Sequence, residues 1–261
     1  MQLDLTGNVA IVTGASRGIG AGVALELARE GCDVLLVARD AARLGEVAAG
    51  ITAATGRRAA THVADLMRRD AAAAAVAAAV SQLGRVDILV NSAGATKRDD
   101  FFKLTDDDWS DGFELKLHGA VRMCRAAWPH VKARRGSIIN IIGIGSRTAG
   151  ADFTIGGSVN SALLNFTKCL ADLGSRDGVR VNAINPGQIA TDRLTRRLDR
   201  IEKEKGIGRE QALAEMARSH GIARPGAPEE IGWLAAFLAS PRAAFIHSAI
   251  IDIDGGETRA L

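Results

Sequence analysis

Short runs of valine, isoleucine and leucine alternate with longer stretches in which apolar residues recur at helical spacing. Runs at residues 9–13, 33–38, 59–64, 86–91, 137–142, 180–184 and 249–253 predict seven strands. Their near-continuous apolar content suits strands covered on both faces. Between them, helices are expected at 18–30, 42–55, 68–83, 106–133, 156–175 and 228–239. That alternation implies an α/β fold with a mainly parallel sheet and helices on both faces. A chain of 261 residues suits one large domain of this kind better than two small ones.

Three segments qualify the pattern. The alanine-rich run 71–79 looks like low complexity, but alanine is the best helix former, and it reads as a helix able to pack closely on a sheet. Asp106, Asp107 and Asp108 suit a helix start, where carboxylates complement the positive end of the helix dipole. Residues 191–219 break the alternation with a charged helix over 193–205, a break at Gly206-Ile207-Gly208, and a second helix. Leu194, Leu198 and Ile201 share one face of the first. The pair reads either as an ordinary amphipathic surface element or as a lid-like insertion after the sixth strand.

Composition narrows the function classes. The 33 basic and 30 acidic residues are spread along the chain, so no nucleic-acid partner is called for. Cys32, Cys124 and Cys169 lack metal-ligand spacing and are expected to be buried, reduced thiols; no metal site is expected. The N-terminal residues carry no signal-peptide pattern and no run is long enough to span a bilayer. A cytoplasmic protein without a membrane partner is the expectation. The chain contains no tyrosine.

Directly after the first strand, Thr13-Gly14-Ala15-Ser16-Arg17-Gly18-Ile19-Gly20 opens a helix. Glycines there permit a tight turn and close approach of backbone to a pyrophosphate, whose charge is favoured at a helix N-terminus. The second strand ends Val37-Ala38-Arg39-Asp40. A carboxylate at such a strand end bonds the ribose 2′-hydroxyl of NAD, whereas arginine accommodates the 2′-phosphate of NADP. Arg17 and Arg39 favour NADP(H); Asp40 leaves NAD(H) possible.

These motifs, taken in order, resemble the short-chain dehydrogenase/reductase family from end to end. His62-Val63-Ala64-Asp65-Leu66 resembles the segment beside the adenine, and Asn91-Ser92-Ala93-Gly94 the Asn-Asn-Ala-Gly motif. Asn185-Pro186-Gly187, with Ile189 and Thr191, resembles the loop at the nicotinamide end. Pro228-Glu229-Glu230-Ile231 and Asp252-Ile253-Asp254-Gly255-Gly256 resemble the family's C-terminal landmarks. The resemblance implies a doubly wound Rossmann fold and a homodimer or homotetramer. It also implies cofactor contacts from Gly14, Ser16, Arg17, Gly18, Ile19, Gly20, Arg39, Asp65, Leu66, Asn91, Ala93, Gly94, Asn160, Pro186, Gly187, Ile189 and Thr191.

The same resemblance implies a catalytic set of Asn, Ser, Tyr and Lys, and here the chain departs from it. The corresponding positions hold Lys116, Gly143, Gly156 and Asn160. Two glycines should vacate volume beside the nicotinamide. Asn160 keeps hydrogen-bonding capacity without charge. Lys116 either takes over the electrostatic or acid role, as a partly buried lysine with a depressed pKa can, or fills space beside a carboxylate. His118, two residues on, should face elsewhere and serve packing or an interface.

Ser146, Arg147, Asp152, Thr154 and Ser158 lie near the same region in sequence; Ser158 is more readily a helix cap than a catalyst. Arg193, Arg196 and Arg197 either attract an anionic substrate or are simply solvated. The expected function is NADP(H)-dependent oxidoreduction of a carbonyl or alcohol with non-standard proton transfer. The alternatives are a dinucleotide-binding sensor or scaffold, and a lyase or isomerase using an enlarged pocket.

Overall fold

The computed structural model describes residues 2–259. Strands β1 (Val9–Thr13), β2 (Asp33–Ala38), β3 (Ala59–Val63), β4 (Ile88–Asn91), β5 (Ser137–Ile141), β6 (Arg180–Pro186) and β7 (Ile250–Ile253) form one sheet. Its order is β3-β2-β1-β4-β5-β6-β7 and every pairing is parallel. The strand order reverses between β1 and β4, which places a ligand crevice at the carboxyl ends of those two strands.

Helices α1 (Gly18–Arg29), α2 (Ala41–Thr55) and α3 (Ala71–Leu83) follow the first three strands. The expected helix over 106–133 is interrupted. Helix α4 (Asp106–Phe113) passes through a π-helical turn (Glu114–His118) into α5 (Gly119–Ala133). Thr105 starts α4 with a capping box: its hydroxyl accepts the Asp108 N–H and the Asp108 carboxylate accepts the Thr105 N–H. The helix expected at 156–175 is longer, α6 (Thr154–Asp177). Ser158 therefore lies in its second turn, exposed, and the N-cap position is held by Phe153 instead. Three helices complete the fold: α7 (Asp192–Lys205), α8 (Arg209–His220) and α9 (Pro228–Ala239).

Two apolar layers flank the sheet, as the strand composition requires. Val12, Leu36 and Ile184 meet Val23, Leu27 and Ile231 from α1 and α9 on one face. On the other, Ile11, Leu35 and Leu89 meet the small residues of α3 and Met123 of α5. Helices α7 and α8 close a separate small cluster around Leu194, Leu198, Ala212 and Met216. A buried polar chain braces the centre. The Asn91 amide donates to Asn140 Oδ1 (2.9 Å), and the Asn140 amide donates to the Thr167 hydroxyl (2.9 Å). No described helix is long and apolar enough to cross a membrane.

The α1–α9 contact depends on missing side chains. A Cβ on Gly22 would lie 2.7 Å from Pro228 Cβ and 2.9 Å from its carbonyl carbon. Gly22→Ala should therefore cost about 1–3 kcal/mol through overpacking and lower the melting temperature by several degrees. Gly45→Ala on α2, where nothing lies within 4 Å of the new methyl, should leave it unchanged or slightly raised. Thermal unfolding of the two variants side by side checks this.

Candidate active site and cofactor cleft

The crevice between β1 and β4 is built by close backbone approach. The Thr13 hydroxyl accepts the N–H groups of Ser92 (3.0 Å) and Ala93 (3.1 Å), pinning the two strand ends together. A Cβ on Gly14 would stand 2.9 Å from Ala93 Cα, and one on Gly20 would overlap the Gly14 carbonyl. Gly18 adopts φ +56°, a left-handed conformation that glycine takes without strain. Helix α1 begins beside Ser16, Arg17 and Ile19 with no side-chain cap and no acidic residue in its first turn. Its free N–H groups and positive dipole end suit a pyrophosphate, so the chain's own geometry fits a dinucleotide.

Basic side chains gather at the adenosine end. Arg39 is exposed at the end of β2. Asp40 is engaged as the N-cap of α2, accepting the Arg43 N–H (3.1 Å) and pairing with Arg43 Nε (3.5 Å). Its carboxylate is thus committed to the helix start. Arg43, which the sequence motifs do not single out, joins Arg17: both donate to Asp192 Oδ2, at 3.4 and 3.3 Å. Asp65 accepts the Met67 N–H (3.1 Å), and Leu66 is buried with its carbonyl held by Arg122.

Asn91 turns its side chain into the core, where its Oδ1 is left without a partner among the described residues. It positions Ala93 and Gly94 through β4. Pro186 ends β6, Gly187 packs on Asp254, and Ile189 is buried beside Gly226. The Thr191 methyl lies where a Cβ on Gly18 would be 3.2 Å away, so the loop after β6 meets the glycine-rich turn.

At the other end of the crevice, the π turn presents Lys116. Its stem lies over Gly94, where a Cβ would stand 3.0 Å from Lys116 Cδ. Its ammonium donates to the Ile142 carbonyl and to Asn160 Oδ1, both at 2.5 Å. Asn160 also donates to the Gly143 carbonyl (3.5 Å), and the Gly143 N–H donates to Asn185 Oδ1 (3.3 Å). Lys116, Gly143 and Asn160 are thus brought together. Desolvation, with the charge of nearby Arg193 adding to it, lowers the Lys116 pKa to about 7, outweighing the two carbonyl acceptors that favour the charged form. No carboxylate pairs with Lys116 among the described residues.

Gly156 does not open the space expected of it. The Phe153 ring lies where a Cβ on Gly156 would be, and also crowds Gly145. Arg98 sits over that ring, 4.1 Å from its centroid, and pairs with Asp152 (2.8 Å). The vacated volume is refilled from within the chain.

A family model described as enoyl-(acyl carrier protein) reductase matches residues 14–258. The chain belongs to the short-chain dehydrogenase/reductase family. The short-chain reductase NovJ of Streptomyces niveus is 35% identical over 250 residues, covering 95% of this chain and 93% of that protein. The L-sorbose reductase of Gluconobacter frateurii, solved with NADPH and L-sorbose, superimposes with TM-score 0.96 at 33% identity over 100% of both chains. An NADPH-bound short-chain oxidoreductase from Pseudomonas aeruginosa PAO1, described as containing an atypical catalytic center, has TM-score 0.90 at 29% identity, covering 97% of this chain and 98% of that one.

Other residues of this short-chain dehydrogenase/reductase fall less as expected. His118 is exposed, which does not favour a packing role and leaves an interface role open. Ser146 donates to the Gly143 carbonyl (3.1 Å), and Arg147 pairs with Asp252 (3.5 Å). Thr154 Oγ1 is buried without a partner among the described residues. Arg197 belongs to a closed ring: it donates to Gln188 and to His220, His220 bonds Glu257 (2.6 Å), and Gln188 donates to Glu257 (3.1 Å). That ring ties α7 and α8 to the loop after β6.

Cys32 and Cys124 are buried with thiols pushed up to about 12 by desolvation, whereas Cys169 is exposed, against expectation. A cavity of about 940 Å³ lies away from Lys116, between Leu25, Val47 and Ile51 on one side and Leu194 and Leu198 on the other.

Lys116 can be observed directly. In protein carrying ¹³Cε-lysine, one resonance should titrate near pH 7 and vanish in Lys116→Met. A Lys116 midpoint near the ordinary lysine value would show that the amine is well solvated.

Proposed function

We propose that the chain is an NADP(H)-dependent oxidoreductase interconverting a carbonyl and an alcohol, with Lys116 handling the proton that family members commonly pass through a tyrosine. The observation that carries this reading is the Lys116 amine held between Ile142 O and Asn160 Oδ1 at the carboxyl ends of the strands, where desolvation lowers its pKa to about 7. Arg17, Arg39 and Arg43 support the phosphorylated cofactor, and so do the NADPH complexes of the two structural neighbours. When bound, the cofactor supplies a hydride to the carbonyl carbon.

The remaining chemistry belongs to the chain. Gly14, Gly18 and Gly94 admit the dinucleotide, and the N-terminus of α1 offsets its pyrophosphate charge. Lys116 holds a proton on Nζ and delivers it to the carbonyl oxygen as negative charge develops there. In the alcohol direction the neutral amine accepts that proton. An acid with pKa near the working pH combines adequate protonation with adequate driving force. Asn160 and Ile142 O fix the amine, and Arg193 raises its acidity. Phe153 fills the space over Gly156, so of the two glycines only Gly143 leaves room, which weighs against the lyase or isomerase alternative.

NADPH should bind more tightly than NADH in fluorescence titrations, and a broad panel of ketones and aldehydes should reveal NADPH oxidation. Lys116→Met should lower kcat about 100-fold or more for the best substrate while leaving NADPH binding within a few-fold. Lys116→Arg, which keeps charge but cannot give up its proton, should not restore the rate. Tight NADPH binding without turnover on any carbonyl would instead favour a sensor or scaffold.

A further inference from the structure

The two arginines best placed for a 2′-phosphate are already shared with a carboxylate from the opposite side of the crevice. Asp192, the first residue of α7, directs Oδ2 to Arg17 Nη1 (3.3 Å) and Arg43 Nη1 (3.4 Å). Arg17 comes from the glycine-rich turn and Arg43 from the first turn of α2, so one carboxylate spans two of the elements that frame the cofactor cleft. Beside it, Thr191 touches Gly18. We propose that Asp192 is a clasp that competes with the cofactor's 2′-phosphate for Arg17 and Arg43, coupling recognition of NADPH to release of the N-terminal end of α7. This rests on the NADP(H) reading above.

Charge and exposure set how the clasp would work. Arg17 and Arg43 pair with two carboxylates, Asp40 and Asp192, so with exposed Arg39 counted the five groups carry a single net positive charge for a phosphate that carries nearly two negatives. Asp40 is anchored as a helix cap, so Asp192 is the partner free to leave. The side chains of Arg17, Arg43 and Asp192 are each about half exposed, at 55%, 45% and 53%. Exposed pairs of this kind are weak and are exchanged readily for a better anion. A phosphate offers more acceptor oxygens and more charge than one carboxylate oxygen, so it wins the exchange. A ribose 2′-hydroxyl offers no charge, so NADH leaves the clasp closed. Asp192 thus lowers the preference for NADPH over NADH without needing to touch either.

The experiment uses the full chain and the probes 2′,5′-ADP and 5′-AMP, whose affinities report the adenosine end without the nicotinamide. Asp192→Asn should tighten 2′,5′-ADP about three- to fivefold at low salt, leave 5′-AMP within about twofold, and lose its advantage as salt rises. Asp192→Glu should behave like the wild type. In hydrogen exchange, saturating 2′,5′-ADP should raise exchange at residues 192–195 of the wild type, where 5′-AMP does not. If Asp192→Asn binds 2′,5′-ADP equally or more weakly while the wild type prefers it to 5′-AMP, the clasp is wrong and the cofactor reading stands. If the wild type itself shows no preference for the 2′-phosphate, both fall.

Discussion

Lys116 has its ammonium between two carbonyl oxygens, one from Ile142 just beyond β5 and one from Asn160 on α6. Its own backbone belongs to the π turn joining α4 to α5. A π turn carries one more residue per hydrogen-bonded ring than the α-helix around it, so it rotates the following residues and re-aims a side chain. Here it delivers a long cationic chain over Gly94 into the strand ends. Three elements meet at one amine, and any change in their spacing moves the charge. The remaining features of the site answer to that arrangement: Gly94 leaves room for the stem, Gly143 is held by Asn160 and Asn185, and Arg193 sets part of the electrostatic background.

The layers and the nucleotide turn are legible in sequence because their causes are local. Apolar runs such as Val34–Val37 must be covered on both faces, and the alanine run at 71–79 has little to do but pack as a helix. Gly14, Gly18 and Gly20 announce a turn without side chains, and the close approach of Gly14 to Ala93 supplies the reason. Even the absence of tyrosine is read directly. What lies outside reach is tertiary. Nothing around Glu114–His118 marks a π turn, because the register shift is fixed by packing across the crevice.

Phe153 is a further case. Counting residues puts a glycine at position 156 and suggests a void, but a neighbouring ring three residues earlier folds over it and takes Arg98 as a lid. Close packing leaves few gaps larger than a solvent molecule, so a deleted side chain is commonly replaced by whatever lies nearby. Asp192 and Arg43 were equally hidden: each reads as a surface charge on a helix, and only the fold brings them together. The same holds for the ring of Arg197, His220, Glu257 and Gln188, which is scattered over 69 positions of sequence.

Carbonyl reduction requires a proton donor at the developing alkoxide whose pKa lies near the working pH. The proposed reading makes Lys116 that donor, and its charge state sets which direction it assists. Below about pH 7 the amine is protonated and ready to give; above it, the neutral amine accepts. The most direct test is single-turnover carbonyl reduction by saturating NADPH, followed from pH 5.5 to 9 (a range of about ±1.5 units or more around neutrality) in the wild type and Lys116→Met. The account predicts a wild-type rate that is high below about pH 7 and falls about tenfold per pH unit above it, against a low, flat profile for the variant. A variant that keeps both the rate and the pH dependence of the wild type would contradict it.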